Sequence, residues 1–440
     1  MKTNIKTTTI SGSGVSAGCR PNPANEKCSF LQKTATPRWA RLKPLALLAL
    51  TLMTGAQSLF AQLNVPSDGS DGVLNITSNT VIDLSQAVTG TWSDDNTTNS
   101  GKGVYDPAKW AVVFKYQSVN IANGATVTFA NHASHAPVVW LVQSNAVVNG
   151  TVSVNGHDFD PFYPDYLLPV EPGPGGFRGG CYSGSAYGSG YGPGGSNGGG
   201  TQSQASSYGA GYGGPTVMPL IGGSGGASTY NPNLGWVPIA GPGGGGAILI
   251  AANVLTINGA ISALAGNGFY HFSYYDGTFY DYAGDGAIRV VANQVLGTGI
   301  LNAGNGRNKT DANYVSAQLV ETPNTIAVAP GLNPNIFPPD SDPVVSVLSV
   351  NGQTAPVDPV ATVSNATDMN MGTNSPVDVI IMSKNFPPNG AVSLRVVPKY
   401  GNNFNVSASF VSGTFSNATW KATTTLPNGF CVLQAHATSP

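Results

Sequence analysis

AILIAANVLTING, from Ala247 to Gly259, and AIRVVANQVLGTG, from Ala287 to Gly299, are two copies of one pattern. VVWLVQSNAVVNG, from Val138 to Gly150, is a third, with the same twelve-residue step from its first residue to the glycine. A fainter copy, VVFKYQSVNIANG, runs from Val112 to Gly124. Each reads as a short apolar strand, a polar break at Asn or Ser, a second short strand and a turn at Gly. One such unit cannot bury its apolar face alone, so the copies must stack. The pattern predicts an all-β fold built on a parallel β-solenoid, a scaffold suited to holding and binding.

Working outward from these copies, residues 111–306 form the solenoid and residues 62–110 its N-terminal cap. Within the cap, Val73 to Ile76 and Val81 to Leu84 read as short strands between turn residues. Two segments interrupt the repeats as aromatic, acidic excursions: 157–171 (HDFDPFYPDYLLPVE) and 268–286 (GFYHFSYYDGTFYDYAGDG). Between them, 172–246 is a glycine-rich insertion with 28 glycines in 75 positions. Its composition fits a flexible linker. Its apolar anchors Phe177, Leu220, Ile221 and Trp236 fit ordered, polyproline-II-like packing equally well. Residues 307–343, rich in Asn and Pro, read as a linker. Residues 344–440 change style, with short alternating strands every 10–15 residues (Val392, Leu394 and Val396 against Ser393 and Arg395), the cadence of an immunoglobulin-like antiparallel β-sandwich.

Residues 1–61 read as a signal peptide: basic residues from Lys2 to Lys43, then the apolar run PLALLALTLMTGA from Pro44 to Ala56, too short to span a bilayer. Removing them takes eight basic residues and one acidic one, leaving 11 basic against 20 acidic and a net charge of −9. That charge excludes an electrostatic footprint for nucleic acid or anionic lipid. No membrane span is expected in the mature chain. Cys181 and Cys431 remain, with pairing left open.

SDGSDGVLNIT (Ser67 to Thr77), APVVWLV (Ala136 to Val142), PGGFRGG (Pro174 to Gly180), LIGGSGG (Leu220 to Gly226) and GGGGAILIAA (Gly243 to Ala252) carry a resemblance. Together they resemble secreted, glycine-rich bacterial surface proteins, with repeats similar to β-helices of the pectin-lyase type. The likeness covers most of 62–306. It implies an architecture and a cell-surface or secreted location, and brings no catalytic residues with it.

The excursions hold the candidate site. Both leave a repeat just past its glycine turn, so equivalent corners of stacked repeats would bring them out on one face. Tyr163, Tyr166, Tyr274 and Tyr280 offer flat faces for sugar rings, and Asp160 and Asp281 offer acceptors for hydroxyls. The same aromatics would also serve simply to pack long loops together. The expected partner is extracellular polysaccharide or a cell-surface glycan. The rival is a polysaccharide-active enzyme, a lyase or glycoside hydrolase, which needs paired carboxylates at defined separation. No cofactor is expected, with calcium left open at Asp68 and Asp71 or at Asp158 and Asp160, since a hard-cation site needs six to eight oxygens. Arg289 reads as a residue on a solvated strand face.

Overall fold

The structure, a computed structural model, describes Lys2–Lys6 and residues 63–158, 169–183, 186–198, 213–231, 237–273, 277–371 and 375–439. Residues 1–61, expected to be a signal peptide, lie outside the described residues apart from Lys2–Lys6, a strand parallel to Cys431–Thr438.

The chain is all-β, and the repeats form two parallel sheets. One sheet stacks the long strands Ala111–Ile121, Val138–Val148, Ala247–Ile257, Ala287–Leu296 and Arg307–Val315, all in parallel. The other stacks the short strands Thr80–Asp83, Thr126–Ala130, Thr151–Ser153, Ala260–Ser262, Ile300–Asn302 and Val320–Thr322. Copies of the pattern are in register: Val112, Val138, Ile248 and Ile288 sit side by side, and so do Phe114, Trp140, Ile250 and Val290. Their side chains share one core with the short-strand residues Val127, Val152, Ile261 and Leu301. Long β-branched and aromatic side chains in parallel ladders suit a sheet buried on both faces.

The pattern's internal break is a bend and not a gap. Each long strand continues through its polar residues, with register irregularities at Tyr116/Val119 and Ala252/Val254. The separate short strand follows the glycine. At that corner the glycines stack: a Cβ on Gly259 would lie 1.8 Å from the carbonyl oxygen of Gly150. Asparagines form a ladder beside them, Asn258 Nδ2 donating to Asn149 Oδ1 at 2.8 Å.

Two further expectations need correction. The region read as a linker from residue 307 opens with Arg307–Val315, a further parallel strand. Polar side chains close this end of the core. Thr310 Oγ1 donates to Glu321 Oε1 at 2.5 Å, and Asn308 Nδ2 to the carbonyl of Thr322 at 2.8 Å. The outer face of the long sheet is not solvated either. Leu63, Val65 and Ile336 cover Val113, Val139, Leu249 and Val291 in a second apolar layer. Arg289 therefore lies buried, 3.1 Å from Asp311 Oδ2 and donating to the carbonyl of Ile336.

The described part of the glycine-rich insertion is packed. Apart from two short antiparallel pairings, Tyr182–Ser183 with Ala186–Tyr187 and Thr229–Asn231 with Val237–Ile239, its segments bond chain to chain without joining either parallel sheet. Phe177 N donates to Gly223 O, Gly223 N to Gly245 O, Gly245 N to Gly284 O and Gly284 N to Ser224 O. Side chains have no room between these backbones: a Cβ on Gly225 would lie 1.8 Å from Arg178 O. Glycine here lets peptide groups approach and satisfy one another.

The C-terminal strands are antiparallel and curl around their own core of Val345, Val379, Ile381, Leu394, Trp420 and Leu433. Phe404–Thr414 serves two neighbours, its first half pairing with Ala391–Pro398 and its second with Asn417–Thr425. A hairpin turn follows, Thr414 pairing with Asn417 across Phe415 and Ser416. The glycine bundle joins this region to the repeats. Phe177, Tyr191 and Ile221 pack on Val397 and Val432, and Arg395 donates to the carbonyls of Gly192 and Gly195.

Candidate functional site

Of the six residues expected to bind ligand, Tyr163, Tyr166, Asp160 and Tyr274 lie outside the described residues. Tyr280 and Asp281 fall in the strand Gly277–Tyr282, which pairs antiparallel with Asn267–Ser273, Tyr280 opposite Tyr270. The feet of the two excursions are described and adjacent. Gly156 N donates to Leu264 O at 2.9 Å, and His157 N to Glu171 O at 3.0 Å closes the base of the first excursion. Asp158 Oδ1 accepts from both Asn267 N (2.7 Å) and Asn267 Nδ2 (3.1 Å). Asp285 holds the second excursion's exit, accepting from Ala265 N at 2.6 Å and Asn305 N at 2.8 Å.

The other acidic candidates are occupied by protein donors. Asp71 Oδ1 accepts from Asn96 Nδ2, Gly101 N and Gly103 N, and its Oδ2 from Lys115 N at 2.7 Å. Asp68 Oδ2 pairs with the buried Lys115 ammonium at 2.7 Å. Partial burial opposes ionisation of Asp68, but hydrogen bonds from Lys115 and Ser70 outweigh it and hold the carboxyl below its ordinary pKa. These carboxylates clamp the cap. Among the described residues no group of three or more His, Cys, Asp or Glu is arranged to hold a metal ion.

A cleft that the sequence does not reveal lies where repeats, glycine bundle and C-terminal region meet. It encloses about 630 Å³ of free space, counting its open mouth, between Trp110, Phe177, Arg178, Val363, Phe430 and Gln434. Trp110 and Phe177 stack with ring centroids 6.3 Å apart and planes 24° apart. The Trp110 indole donates to the carbonyl of Ser134 at 3.0 Å, which fixes the ring. Arg178 pairs with Glu171, and His135 Nδ1 lies 3.8 Å from the same carboxylate. Gln434 is fully buried, and neither its Nε2 nor its Oε1 has a hydrogen-bond partner among the described residues. Buried amides are almost always satisfied, so this one is an outlier. Trp110 (φ 48°) and His135 (φ 53°), both lining the cleft, hold left-handed backbone that bulky side chains rarely adopt. Next to the cleft, Ser134 Oγ sits 2.8 Å from His132 Nδ1, which also accepts from Ser134 N at 3.2 Å. This is a local turn, and burial holds His132 below its ordinary pKa.

No family matches. Comparison with protein families, with curated proteins and with solved structures finds nothing similar to this chain. Among the described residues no helix is long and apolar enough to cross a membrane.

Proposed function

We propose that the protein is a secreted or cell-surface structural and adhesive protein that binds extracellular glycan through its two aromatic-acidic excursions. In this reading the two parallel sheets are the walls of a β-solenoid, and the antiparallel region is an immunoglobulin-like sandwich serving as spacer or anchor. The apolar run from Pro44 to Ala56 behind basic residues supports export. The observation that carries the glycan reading is the pairing of Asp158 with Asn267, since it sets the feet of both excursions side by side on one corner. Loops anchored at one corner can act on one ligand, with Tyr163, Tyr166, Tyr274 and Tyr280 as stacking platforms and Asp160 and Asp281 as hydroxyl acceptors.

The test is a Tyr163→Ala, Tyr280→Ala double variant measured for polysaccharide binding and for melting. The reading expects weaker binding at unchanged melting temperature, each lost platform removing about 1 kcal/mol. Binding that persists while the melting temperature falls would make the tyrosines pins that hold the loops. Polymer turnover abolished by Asp160→Asn or Asp281→Asn would replace adhesion with catalysis.

A further inference from the structure

We infer that the outer face of the short-strand sheet is an ice-binding surface, spaced to hold water as a crystal face holds it. This surface shares no residue with the excursions and needs no glycan.

The two parallel sheets differ in what lies on their outer faces. The long sheet is roofed by Leu63, Val65 and Ile336. The short sheet presents two columns of small side chains that alternate with its buried positions. One column runs strand to strand through Thr126, Thr151, Ala260, Ile300 and Val320. The second runs through Ser153, Ser262, Asn302 and Thr322, two residues further along each strand. Thr128 stands beside Val81 at the sheet's first pairing. Val81, Ile300 and Val320 are 63%, 41% and 50% exposed, and the threonines and serines between them are half-buried.

This composition excludes the usual ligands. Neither column holds a charge, so nucleic acid, ions and lipid headgroups meet no counter-charge. Neither holds an aromatic ring, so a sugar ring meets no platform. The face offers methyls and hydroxyls at fixed intervals instead. Neighbouring strands lie about 4.8 Å apart, and alternate residues of one strand about 6.6 Å apart. Those two perpendicular repeats lie near the oxygen repeats on the prism face of ice. Thr, Ile and Val fill the first column except at Ala260, and β-branched side chains are stiff at χ1.

The array is also held rigid. No pairing in the short sheet has a register irregularity, whereas the long sheet bends at Tyr116/Val119 and Ala252/Val254. At the corner, the Gly150–Gly259 stack and the Asn149–Asn258 hydrogen bond keep successive repeats in line, and such ladders favour a flat sheet. Val127, Val152, Ile261 and Leu301, all fully buried, fix the sheet from behind. Among the described residues the hydroxyls of Thr126, Thr128 and Thr151 bond to no protein group, which leaves them to order water. Waters already spaced by a rigid surface join a crystal at little further ordering cost.

The test freezes solutions of the full chain slowly and measures its partition into polycrystalline ice and its inhibition of ice recrystallisation. Enrichment in the ice over a non-binding control protein, with recrystallisation arrested, is expected. Thr151→Tyr and Ser262→Tyr each raise a ring from the middle of the face and should lower potency at least tenfold at unchanged melting temperature. Asn145→Tyr, exposed on the long strand Val138–Val148, should leave potency unchanged, as should the Tyr163→Ala, Tyr280→Ala variant. Exclusion of wild type from ice, unchanged potency in both face variants, or equal loss in Asn145→Tyr would overturn the inference. Loss confined to the tyrosine pair would place ice on the excursions and overturn this face. Thr151→Tyr that abolishes polysaccharide retention or self-association, with no effect on ice, would give the face to a glycan or to a second copy of the chain and overturn the inference too.

Discussion

Gly179 and Gly241 touch through their backbones so closely that a Cβ on the first would lie 1.8 Å from the carbonyl oxygen of the second. Backbone cannot yield as a flexible side chain can, so Gly179→Ala forces the bundle apart. We expect a loss of about 1–3 kcal/mol or more, read as a lower melting temperature. Gly214→Ala is the control, since its nearest neighbour would be Thr216 Oγ1 at 3.8 Å. Equal melting of the two variants would contradict tight packing of the glycine segments.

Ile250 sits in the ladder between Trp140 and Val290 and is fully buried. Ile250→Asp places an unpaired carboxylate among apolar side chains, at a cost of several kcal/mol. The expected outcome is loss of the cooperative melt by circular dichroism. A normal melt would remove Ile250 from the core.

The repeats were legible because three copies carry the same apolar positions, and those positions align strand to strand. The last parallel strand was not. NKTDANYV, from Asn308 to Val315, replaces the apolar ladder with Asn308 and Thr310, whose hydrogen bonds close the core instead of extending it. The burial of Arg289 has no sequence signal for a related reason: alternation fixes which side of a strand a residue faces, but not what covers that side. Cover here comes from Leu63, Val65 and Ile336, distant in sequence. At the candidate site, the glycine turns located the feet of the excursions. The cleft had no local signal, because Trp110, Phe177 and Gln434 share no spacing and meet only through tertiary packing.

The buried pair of Arg289 and Asp311 gives a third test. Burial pulls Arg289 below its ordinary pKa, and Asp311 opposes that shift. Asp311→Ala leaves the guanidinium buried without its carboxylate, a loss of about 3–5 kcal/mol in denaturant unfolding. Arg289→Met with Asp311→Leu removes both charges and should cost much less. A double variant as unstable as Asp311→Ala would contradict this account of the pair.

Burial, reinforced by Arg395, lowers the pKa of His436 from 6.5 to about 4. Between those values the unfolded chain binds a proton that the folded chain refuses. Stability from this group is complete above pH 6.5 and is lost as pH falls toward 4, by up to about 3 kcal/mol. His436→Gln should therefore show a shallower fall in melting temperature across that window than wild type. Identical slopes would place His436 in a solvated setting.

The most direct measurement for the central claim is a screen of the purified protein against a panel of extracellular polysaccharides, scored for both retention and chain length. The account predicts saturable retention of at least one polymer, with its length distribution unchanged after prolonged incubation. Retention of none, or steady shortening of a bound polymer, would contradict an adhesive, glycan-holding scaffold.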